Sequence, residues 1–205
     1  MKLTWYGHSC FLVETEGGSA VFDPYSPGSV PGVELPALTA DTVFCSHQHH
    51  DHNYAQAVTL TGKAFSAKVE QVQTCHDDMG GAKRGPNTIT LVEADGVRAA
   101  HLGDLGHLLT EEQVAALGRV DVLMIPVGGF FTIDAKQAAA VVKQLKPAVI
   151  VPMHYRSGSF GFDVIATIDE FLSLSENVRY SDTNVLDLSG SLAPGTVVLK
   201  CPVKA

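Results

Sequence analysis

Short hydrophobic runs alternate with polar turns along the first half of the chain. The runs are five to seven residues long, rich in β-branched or aromatic side chains, and bounded by Gly, Pro or Asp, which is typical of β-strands. They are LTWYG (3–7), CFLVE (10–14), AVFDP (20–24), TVFCS (42–46), TITLVE (88–93) and VRAAHLG (97–103). The pattern therefore predicts that the first half is mainly β-structure.

The period of the pattern changes to that of a helix after residue 110. An apolar stripe with the spacing of one helix face runs through residues 135–146. Its members are Ala138, Val141, Val142 and Leu145. A capping box, in which two side chains three residues apart bond each other's main chain, opens this helix and an earlier one at residues 111–118. The two pairs are Asp134 with Gln137 and Thr110 with Gln113.

Buried strands are predicted on both sides of the second helix. The runs DVLMIPV (121–127) and PAVIVPM (147–153) are almost wholly apolar, like strands of a sheet covered on both faces, so this region predicts a βαβ unit. Beyond it, the pattern predicts a third helix at residues 162–174 and strands at 178–182, 185–188 and 196–200. A meander of strands combined with a βαβ unit indicates sheets sandwiched by helices.

Composition narrows the kinds of protein that this chain can be. With 205 residues, 45% hydrophobic content and no linker-like stretch, it is expected to form a single domain over residues 1–205. Such a domain buries about 70% of the surface of its unfolded chain. The net charge of −8 argues against phosphate-backbone binding, so no nucleic acid partner is expected. No run approaches the roughly 18 apolar residues of a membrane span, and the oligomeric state is left open.

The cysteines and the first residues favour a cytoplasmic protein. The four cysteines stand singly, with no CxxC pair, and a chain of this size does not need a disulfide framework. Residues 1–18 lack the long apolar stretch and the cleavage site of a secretion signal. A reducing, cytoplasmic setting is therefore expected.

The segment SHQHHDHN (46–53) concentrates metal-binding side chains. It is expected to leave the carboxyl end of a strand and enter a helix, at the kind of place where α/β proteins bind ligands. In extended backbone, side chains two residues apart share a face, so His47 and His49 can hold one ion. Asp51 and His52, at the turn into the helix, point elsewhere and can serve a second ion, with the carboxylate favoured by the helix dipole.

Further ligands follow other strand-like runs. His76, Asp104 and His154 stand at or near the ends of three such runs. Asp104 is expected to bridge two ions, each with three protein ligands, which leaves room for the shared water of an open catalytic site. A single histidine at a strand end is more often structural, but the HxHxDH spacing is rare in a solvated loop and favours metal binding.

The segment HQHHDH (47–52) resembles the HxHxDH signature of the metallo-β-lactamase superfamily. Four further residues match the family's other motifs in order: Asp23, His76, Asp104 and His154. Within the superfamily, GHSCFLVE, HDDMGGAKRGPNTI, HLGDLGH and PMHY are together similar to a branch of small bacterial hydrolases related to the L-ascorbate-6-phosphate lactonases. The resemblance implies an α/β fold, an αββα four-layer sandwich of two mixed β-sheets flanked by helices, with metals at one edge between the sheets.

Carried over by position, the resemblance implies two divalent metal ions. The ligand sets are His47, His49 and His76 for the first ion, Asp51, His52 and His154 for the second, and Asp104 as the bridge. Asp23 would orient a ligand from behind. Imidazole-rich sites suit zinc, while manganese, expected from the lactonase relatives, and iron are the alternatives.

A binuclear site of this kind predicts a hydrolase that acts on a small molecule. Two ions lower the pKa of a bridging water from about 15.7 towards about 7, so that hydroxide is present at neutral pH. The hydroxide would attack an ester, lactone or phosphodiester while the ions stabilise the developing charge. Asp51 or Asp104 would steer the proton of the nucleophile.

Six further side chains are candidates for contact with the substrate: His8, Lys83, Arg84, His107, Tyr155 and Arg156. The two histidines match positions that the related branch also carries; either could touch substrate or orient a ligand, and His107 is also a candidate catalytic residue. The three cations suit an anionic substrate group, and the tyrosine suits an oxyanion. Each has a simpler alternative as a solvated charge or a packed ring.

Two other functions share the metal motif. A nuclease of the RNase Z type is disfavoured by the acidic balance and by the lack of an inserted nucleic-acid-binding module. A non-catalytic metal-binding protein on the same scaffold is disfavoured by the complete set of ligands, although fold alone does not decide function.

Overall fold

The computed structural model describes residues 1–190 and 193–203. The strands of this part of the chain are β1 (Lys2–Trp5), β2 (Phe11–Thr15), β3 (Gly18–Phe22), β4 (Leu38–Ala40), β5 (Thr42–Phe44), β6 (Val58–Leu60), β7 (Lys68–Cys75), β8 (Pro86–Ala94), β9 (Val97–His101), β10 (Val122–Pro126), β11 (Val149–Met153), β12 (Arg179–Tyr180), β13 (Val185–Asp187) and β14 (Gly195–Val198). Its helices are α1 (Glu111–Leu117), α2 (Ala135–Leu145) and α3 (Asp169–Ser173). Every strand predicted from the hydrophobic runs is present. Within the described residues, no helix combines the length and the apolarity needed to cross a membrane.

Five strands form the first sheet, in the order β13-β1-β2-β3-β5. Neighbouring strands run antiparallel except β3 and β5, which are parallel, so the sheet is mixed. Alternate residues of β1 and β2 face the interior, because side chains in a strand point to opposite faces in turn. These residues, Leu3, Trp5, Phe11 and Val13, are at most 1% exposed.

Seven strands form the second sheet, in the order β12-β14-β11-β10-β9-β8-β7. The strands from β12 to β9 are parallel to one another, and β8 and β7 are added antiparallel. The predicted βαβ unit is confirmed: α2 joins the parallel strands β10 and β11, both of which are buried along their whole length. Both predicted capping boxes are also present, at the starts of α1 and α2.

The two sheets share one hydrophobic core, to which Phe22 of the first sheet and Leu123 of the second both belong. Because the first sheet covers the inner face of the second, α2 lies on the outer face of the second. A separate cluster that contains Val21 and Leu38 covers the outer face of the first sheet, where β4, β6 and a short 3-10 helix (Ala55–Ala57) lie. The predicted α/β sandwich of two mixed sheets is confirmed. In the described residues its α-helices lie beside the seven-stranded sheet.

The helix predicted at residues 162–174 is confirmed only at its end, as α3. The main chain before α3 is hydrogen-bonded to other loops: the Ala166 N–H donates to the Gly128 carbonyl, and Arg156 Nε donates to the Ile165 carbonyl at 2.7 Å. A helix would need these main-chain groups for its own hydrogen bonds. Tertiary contacts of the main chain therefore shortened the helix.

The helix predicted directly after β5 is absent. The His49 carbonyl instead accepts hydrogen bonds from the N–H groups of His52 and Asn53, which closes a turn. In an α-helix, the side chains of His47 and His52 would point about 140° apart, since each residue turns the chain by about 100°. The turn allows both side chains to face one point, as described below.

Candidate metal centre

Strand ends from both sheets bring the predicted ligands together. His76 and His154 directly follow β7 and β11, and Asp104 lies just beyond β9, all in the seven-stranded sheet. His47 lies just beyond β5 in the five-stranded sheet. The predicted ligands therefore meet at one edge between the sheets, beyond the carboxyl ends of their strands.

The main chain around this edge is strained and closely packed. His8, Asp23 and His154 adopt φ angles of 50°, 43° and 53°, which non-glycine residues rarely do. A Cβ atom on Gly128 would stand 2.2 Å from the His154 carbonyl oxygen, so a side chain at position 128 would displace the His154 turn. Strain of this kind is concentrated at functional sites, where surrounding contacts hold the residue in place.

Three groups of side chains offer ligand atoms that lie within 4.8 Å of one another. They are His47, His49 and His76; His47, His52 and Asp104; and His8, His52 and His154. The first group is the set predicted for one ion. The third places His8, expected to contact substrate or to orient a ligand, beside two residues predicted for the second ion. Together the groups form a cluster that can bind metal.

Asp104 lies at the centre of this cluster. Its Oδ2 is 3.3 Å from Nε2 of His76 and 3.3 Å from Nε2 of His154. The same oxygen is 3.9 Å from Nε2 of His47, and Oδ1 is 3.3 Å from Nε2 of His52. One carboxylate therefore faces histidines of both predicted ligand sets, which is the position that a bridging ligand requires.

Asp51 and His49 mark the side of the cluster that faces solvent. The Asp51 side chain is 16% exposed, and its Oδ2 is 3.4 Å from Nε2 of His8 and 3.9 Å from Nε2 of His52. His49 is exposed, although its ring centroid is 4.7 Å from that of the buried His47. A small molecule can reach the cluster from this side.

The charges in the cluster are set by burial and by two carboxylates. Burial lowers the pKa values of His8 and His47 to about 3, so both rings are neutral, which is the form that binds metal. Burial opposes a charge on His52 as well, but Asp104 and Asp23 outweigh it and raise the pKa of His52. The pKa of Asp104 is lowered, because neighbouring histidines outweigh the effect of burial. The two buried carboxylates therefore favour positive charge at this place.

Polar atoms without partners are concentrated in the same cluster. Within residues 1–190 and 193–203, ten buried side-chain nitrogen and oxygen atoms have no hydrogen-bond partner, and eight of them belong to His8, His47, His52, His76, Asp104 and His154. Leaving such an atom unpaired costs about 1–3 kcal/mol, so native structures rarely collect them without a reason. Metal ions bound to these atoms would remove that cost.

Asp23 supports the cluster from behind. Its Oδ2 lies 2.8 Å from Nδ1 of His52, which leaves Nε2 of that ring directed at Asp104. The Ser46 N–H and hydroxyl both donate to the carboxylate, each at 2.6 Å. Because the Nδ1 proton is held by Asp23, Nε2 is the nitrogen with a lone pair for an ion.

Replacing Asp23 with asparagine is expected to weaken metal binding about 10- to 100-fold, the usual effect of losing a group that orients a ligand. The amide nitrogen would face Nδ1 of His52 and favour the tautomer with its proton on Nε2, which cannot bind metal. Competition with a coloured zinc chelator measures the affinity. Asp182→Asn makes the same change at an exposed aspartate and should leave the affinity unchanged. Equal affinity of Asp23→Asn and the unchanged protein would contradict the prediction.

Both ring nitrogens of His107 are engaged by main chain. Nε2 accepts from the Cys75 N–H at 3.1 Å, and Nδ1 donates to the Leu108 carbonyl at 2.7 Å. The ring therefore joins its loop to the end of β7, next to His76. Both nitrogens are thus hydrogen-bonded within the loop region, and the catalytic role of His107 stays a prediction.

The glycine-rich loop after His76 folds around the carboxylate of Asp77. The N–H groups of four residues donate to that carboxylate over 2.7–2.9 Å: Met79, Gly81, Lys83 and Arg84. Burial alone would raise the pKa of Asp77, but these hydrogen bonds lower it to about 2.

The Lys83 side chain is exposed, whereas Arg84 is half-buried and donates from Nη2 to the Phe130 carbonyl at 2.9 Å.

The last two substrate candidates are engaged elsewhere. Tyr155 is 5% exposed and packs against Trp5 and Phe160, with ring centroids 5.7 and 5.6 Å away. This packing favours the core role over contact with an oxyanion. Arg156 Nε donates to the Ile165 carbonyl in the segment before α3, so its planar guanidinium already has a structural contact.

Sequence reasoning missed two supporting residues. Asn87 accepts from the Asp104 N–H at 2.9 Å and donates to the Leu102 carbonyl at 3.0 Å, which fixes the turn that carries Asp104. No local pattern marks Asn87, because its partners follow it by 15 and 17 residues. Asp77 could have been found, since an aspartate before a glycine-rich stretch is typical of a turn built on a side-chain acceptor.

A sandwich of two mixed sheets with a His/Asp cluster at their shared edge defines the metallo-β-lactamase class of proteins. Residues 2–154 match the family model described as the β-lactamase superfamily domain. The chain belongs to this superfamily and is a hydrolase of it, which confirms the predicted superfamily; the relation to the lactonase branch stays a prediction.

Relatives extend over most of the chain. It is 29% identical over 194 residues to a metal-dependent hydrolase of Carboxydothermus hydrogenoformans, covering 77% of this chain and 85% of the relative. A crystal structure from Thermotoga maritima, described as a candidate zinc-dependent hydrolase of the metallo-β-lactamase superfamily, is 35% identical, with a TM-score of 0.77 and 97% of both chains covered. A metallo-hydrolase from Ignicoccus hospitalis shares the fold, with a TM-score of 0.64, 23% identity, and 99% and 96% coverage.

Proposed function

We propose that this protein is a metal-dependent hydrolase with a binuclear centre. The observation that carries the proposal is the convergence of unpaired buried nitrogen and oxygen atoms around Asp104. His47, His49 and His76 would hold one ion. Asp51, His52 and His154 would hold the other, and Asp104 would contribute to both.

The ions, when bound, supply a water of lowered pKa as nucleophile and polarise the oxygen that develops charge. The residues around the ions would position the substrate and orient the nucleophile. Asp51 is partly exposed, and its Oδ2 is 3.4 Å from Nε2 of the neutral His8 ring, so Asp51 can take a proton from the nucleophile. The burial of His47, His52 and His154 excludes competing water on the inner side.

Zinc is the proposed metal. Five of the seven proposed ligands are imidazoles, which zinc accepts readily, and the Thermotoga maritima relative is described as zinc-dependent. Manganese and iron are the alternatives, because the two carboxylates also suit these ions.

The proposed substrate is a small molecule with an ester, lactone or phosphodiester bond. The proposed route to the cluster lies beside the exposed His49 and the partly exposed Asp51. The net charge of −8 does not favour a polyanionic partner. We also place the protein in the cytoplasm, in keeping with its four free cysteines.

Elemental analysis of the purified protein, followed by turnover assays, tests this function. We expect two equivalents of metal per chain and metal-dependent proton release from at least one member of a panel of esters, lactones and phosphodiesters. Fewer than two equivalents after incubation with zinc and with manganese would contradict the binuclear centre. Two equivalents without turnover of any panel member would contradict the proposed substrate chemistry.

A further inference from the structure

A row of aromatic rings extends outward from the candidate metal centre. It begins at His8, whose ring centroid lies 4.0 Å from that of His154 and 5.5 Å from that of Phe162. Phe162 is 5.9 Å from Phe131, and Phe131 is 4.8 Å from Phe130. The three contacts beyond His154 are edge-to-face, with interplanar angles of 75°, 72° and 87°, which is a favourable aromatic geometry. The row is therefore one apolar surface that is continuous with the cluster.

The rings of this row remain partly open to solvent. Phe131 and Phe162 are half-buried, and Phe130 is 62% exposed. Single exposed apolar side chains are common, but adjoining aromatic rings beside a polar cluster are typical of a ligand pocket. Phe130 also has a φ angle of 60°, a costly conformation for a bulky residue. The outer end of the row is thus held in place at some cost in free energy.

Arg84 provides the contacts that hold the row. Its Cζ atom lies 5.6 Å from the centroid of the Phe131 ring, within the range of a cation–π contact, and Nη2 donates to the Phe130 carbonyl at 2.9 Å. The Arg84 N–H donates to Asp77, whose carboxylate organises the loop after His76. The aromatic row and the metal ligands are therefore fixed relative to one another. A surface that is already ordered loses little conformational entropy when a ligand binds.

We propose that Phe131 and Phe162 bind an apolar part of the substrate, an aryl or alkyl group attached next to the bond that is hydrolysed. The inference rests on the proposed function, because it places the reacting group in the metal centre. A reacting group beside Asp51 and His8 brings its next substituent against Phe162 and then Phe131. A small phosphorylated substrate would instead meet apolar rings here, and the adjoining guanidinium of Arg84 is already engaged with Phe130 and Phe131.

Two metal-binding probes test this inference without knowledge of the natural substrate. Acetohydroxamate and phenylacetohydroxamate carry the same chelating group and differ by a phenyl ring. Isothermal titration calorimetry on the zinc-loaded protein gives the two dissociation constants. We expect the phenyl probe to bind at least about 10-fold more tightly, since added apolar groups in hydrophobic pockets are worth about 10- to 200-fold.

Variants of the two phenylalanines show whether these rings cause the tighter binding of the phenyl probe. In Phe131→Ala the ratio of the two affinities should fall towards one while the affinity for acetohydroxamate stays the same. Phe162→Leu keeps an apolar side chain beside His8 and should retain part of the ratio. Tyr180→Ala is the matched control, because this aromatic residue is 72% exposed in the edge strand β12; it should leave both affinities unchanged.

Each outcome bears on a different proposal. If both probes bind with equal affinity, or if the preference survives in both phenylalanine variants, the aromatic site is overturned and the metal centre stands. If neither probe binds protein whose zinc content is two per chain, the aromatic site is overturned; a protein that retains no zinc overturns the metal centre and the aromatic site with it.

Discussion

Replacing Asp104 with alanine is expected to abolish hydrolysis and to lower the bound metal from two ions per chain to one or none. The carboxylate of Asp104 is 2% exposed and faces four histidines, with its oxygens 3.3 Å from three of their Nε2 atoms. Its loss removes the group proposed to bridge the two ligand sets. We expect kcat/KM to fall by at least about 10³-fold, because removing one electrostatic contact from an active site already costs about 10²–10³.

Elemental analysis and the rate of proton release, measured on the same preparation, check this prediction. Asp104→Asn keeps the size of the side chain and removes only its charge. The variant should also fail to retain the second ion, which would show that the charge is required. Asp182→Ala removes an exposed aspartate and should change neither quantity. A variant at position 104 that keeps two ions and full activity would show that the ligand assignment is wrong.

Removing the metal with a chelator is expected to stop hydrolysis and to lower the melting temperature on the order of 10 °C for each ion lost. An ion present at about 1,000 times its Kd stabilises the folded state by about 4 kcal/mol. For a chain of 150–250 residues, each kcal/mol shifts the melting temperature by about 2–4 °C. The buried nitrogen and oxygen atoms around Asp104 are the groups whose contacts with the ions would supply this stabilisation.

Differential scanning calorimetry before and after dialysis against the chelator measures the shift. Adding zinc or manganese back should restore both the melting temperature and the activity, which separates loss of metal from irreversible damage. The Asp104→Ala variant serves as the comparison, since it should show a smaller shift. An unchanged melting temperature in protein whose metal content has fallen to zero would contradict the proposed centre.

The strands and the candidate metal ligands could be predicted from the sequence, because both depend on patterns of neighbouring residues. A strand such as β10 is recognisable from its own continuous apolar run. His47, His49, Asp51 and His52 lie in one short segment, so their spacing alone predicted a ligand group. The segment before α3 shows the limit: its composition favours a helix, but the hydrogen bond from Ala166 to Gly128 uses main-chain groups that a helix would need.

The sequence could not predict roles of residues that depend on the direction of the side chain. The pattern placed His8, His107 and Tyr155 near the site together, and only the contacts separate them. His8 faces His52 and His154, His107 bonds main chain through both ring nitrogens, and Tyr155 packs in the core against Trp5 and Phe160. Side-chain direction follows from the turn after each strand, which local composition does not encode.

The sequence by itself determined most of the strands, the βαβ unit, the family and the chemical type of the cluster, because periodicity and motif spacing are properties of neighbouring residues. Only the tertiary structure decided that Asn87 fixes the turn that carries Asp104, that the His107 ring bonds the main chain of Cys75, and that aromatic rings adjoin the cluster. The physical reason is distance along the chain. These contacts join residues far apart in sequence, and packing the two sheets against each other brings them within a few ångströms.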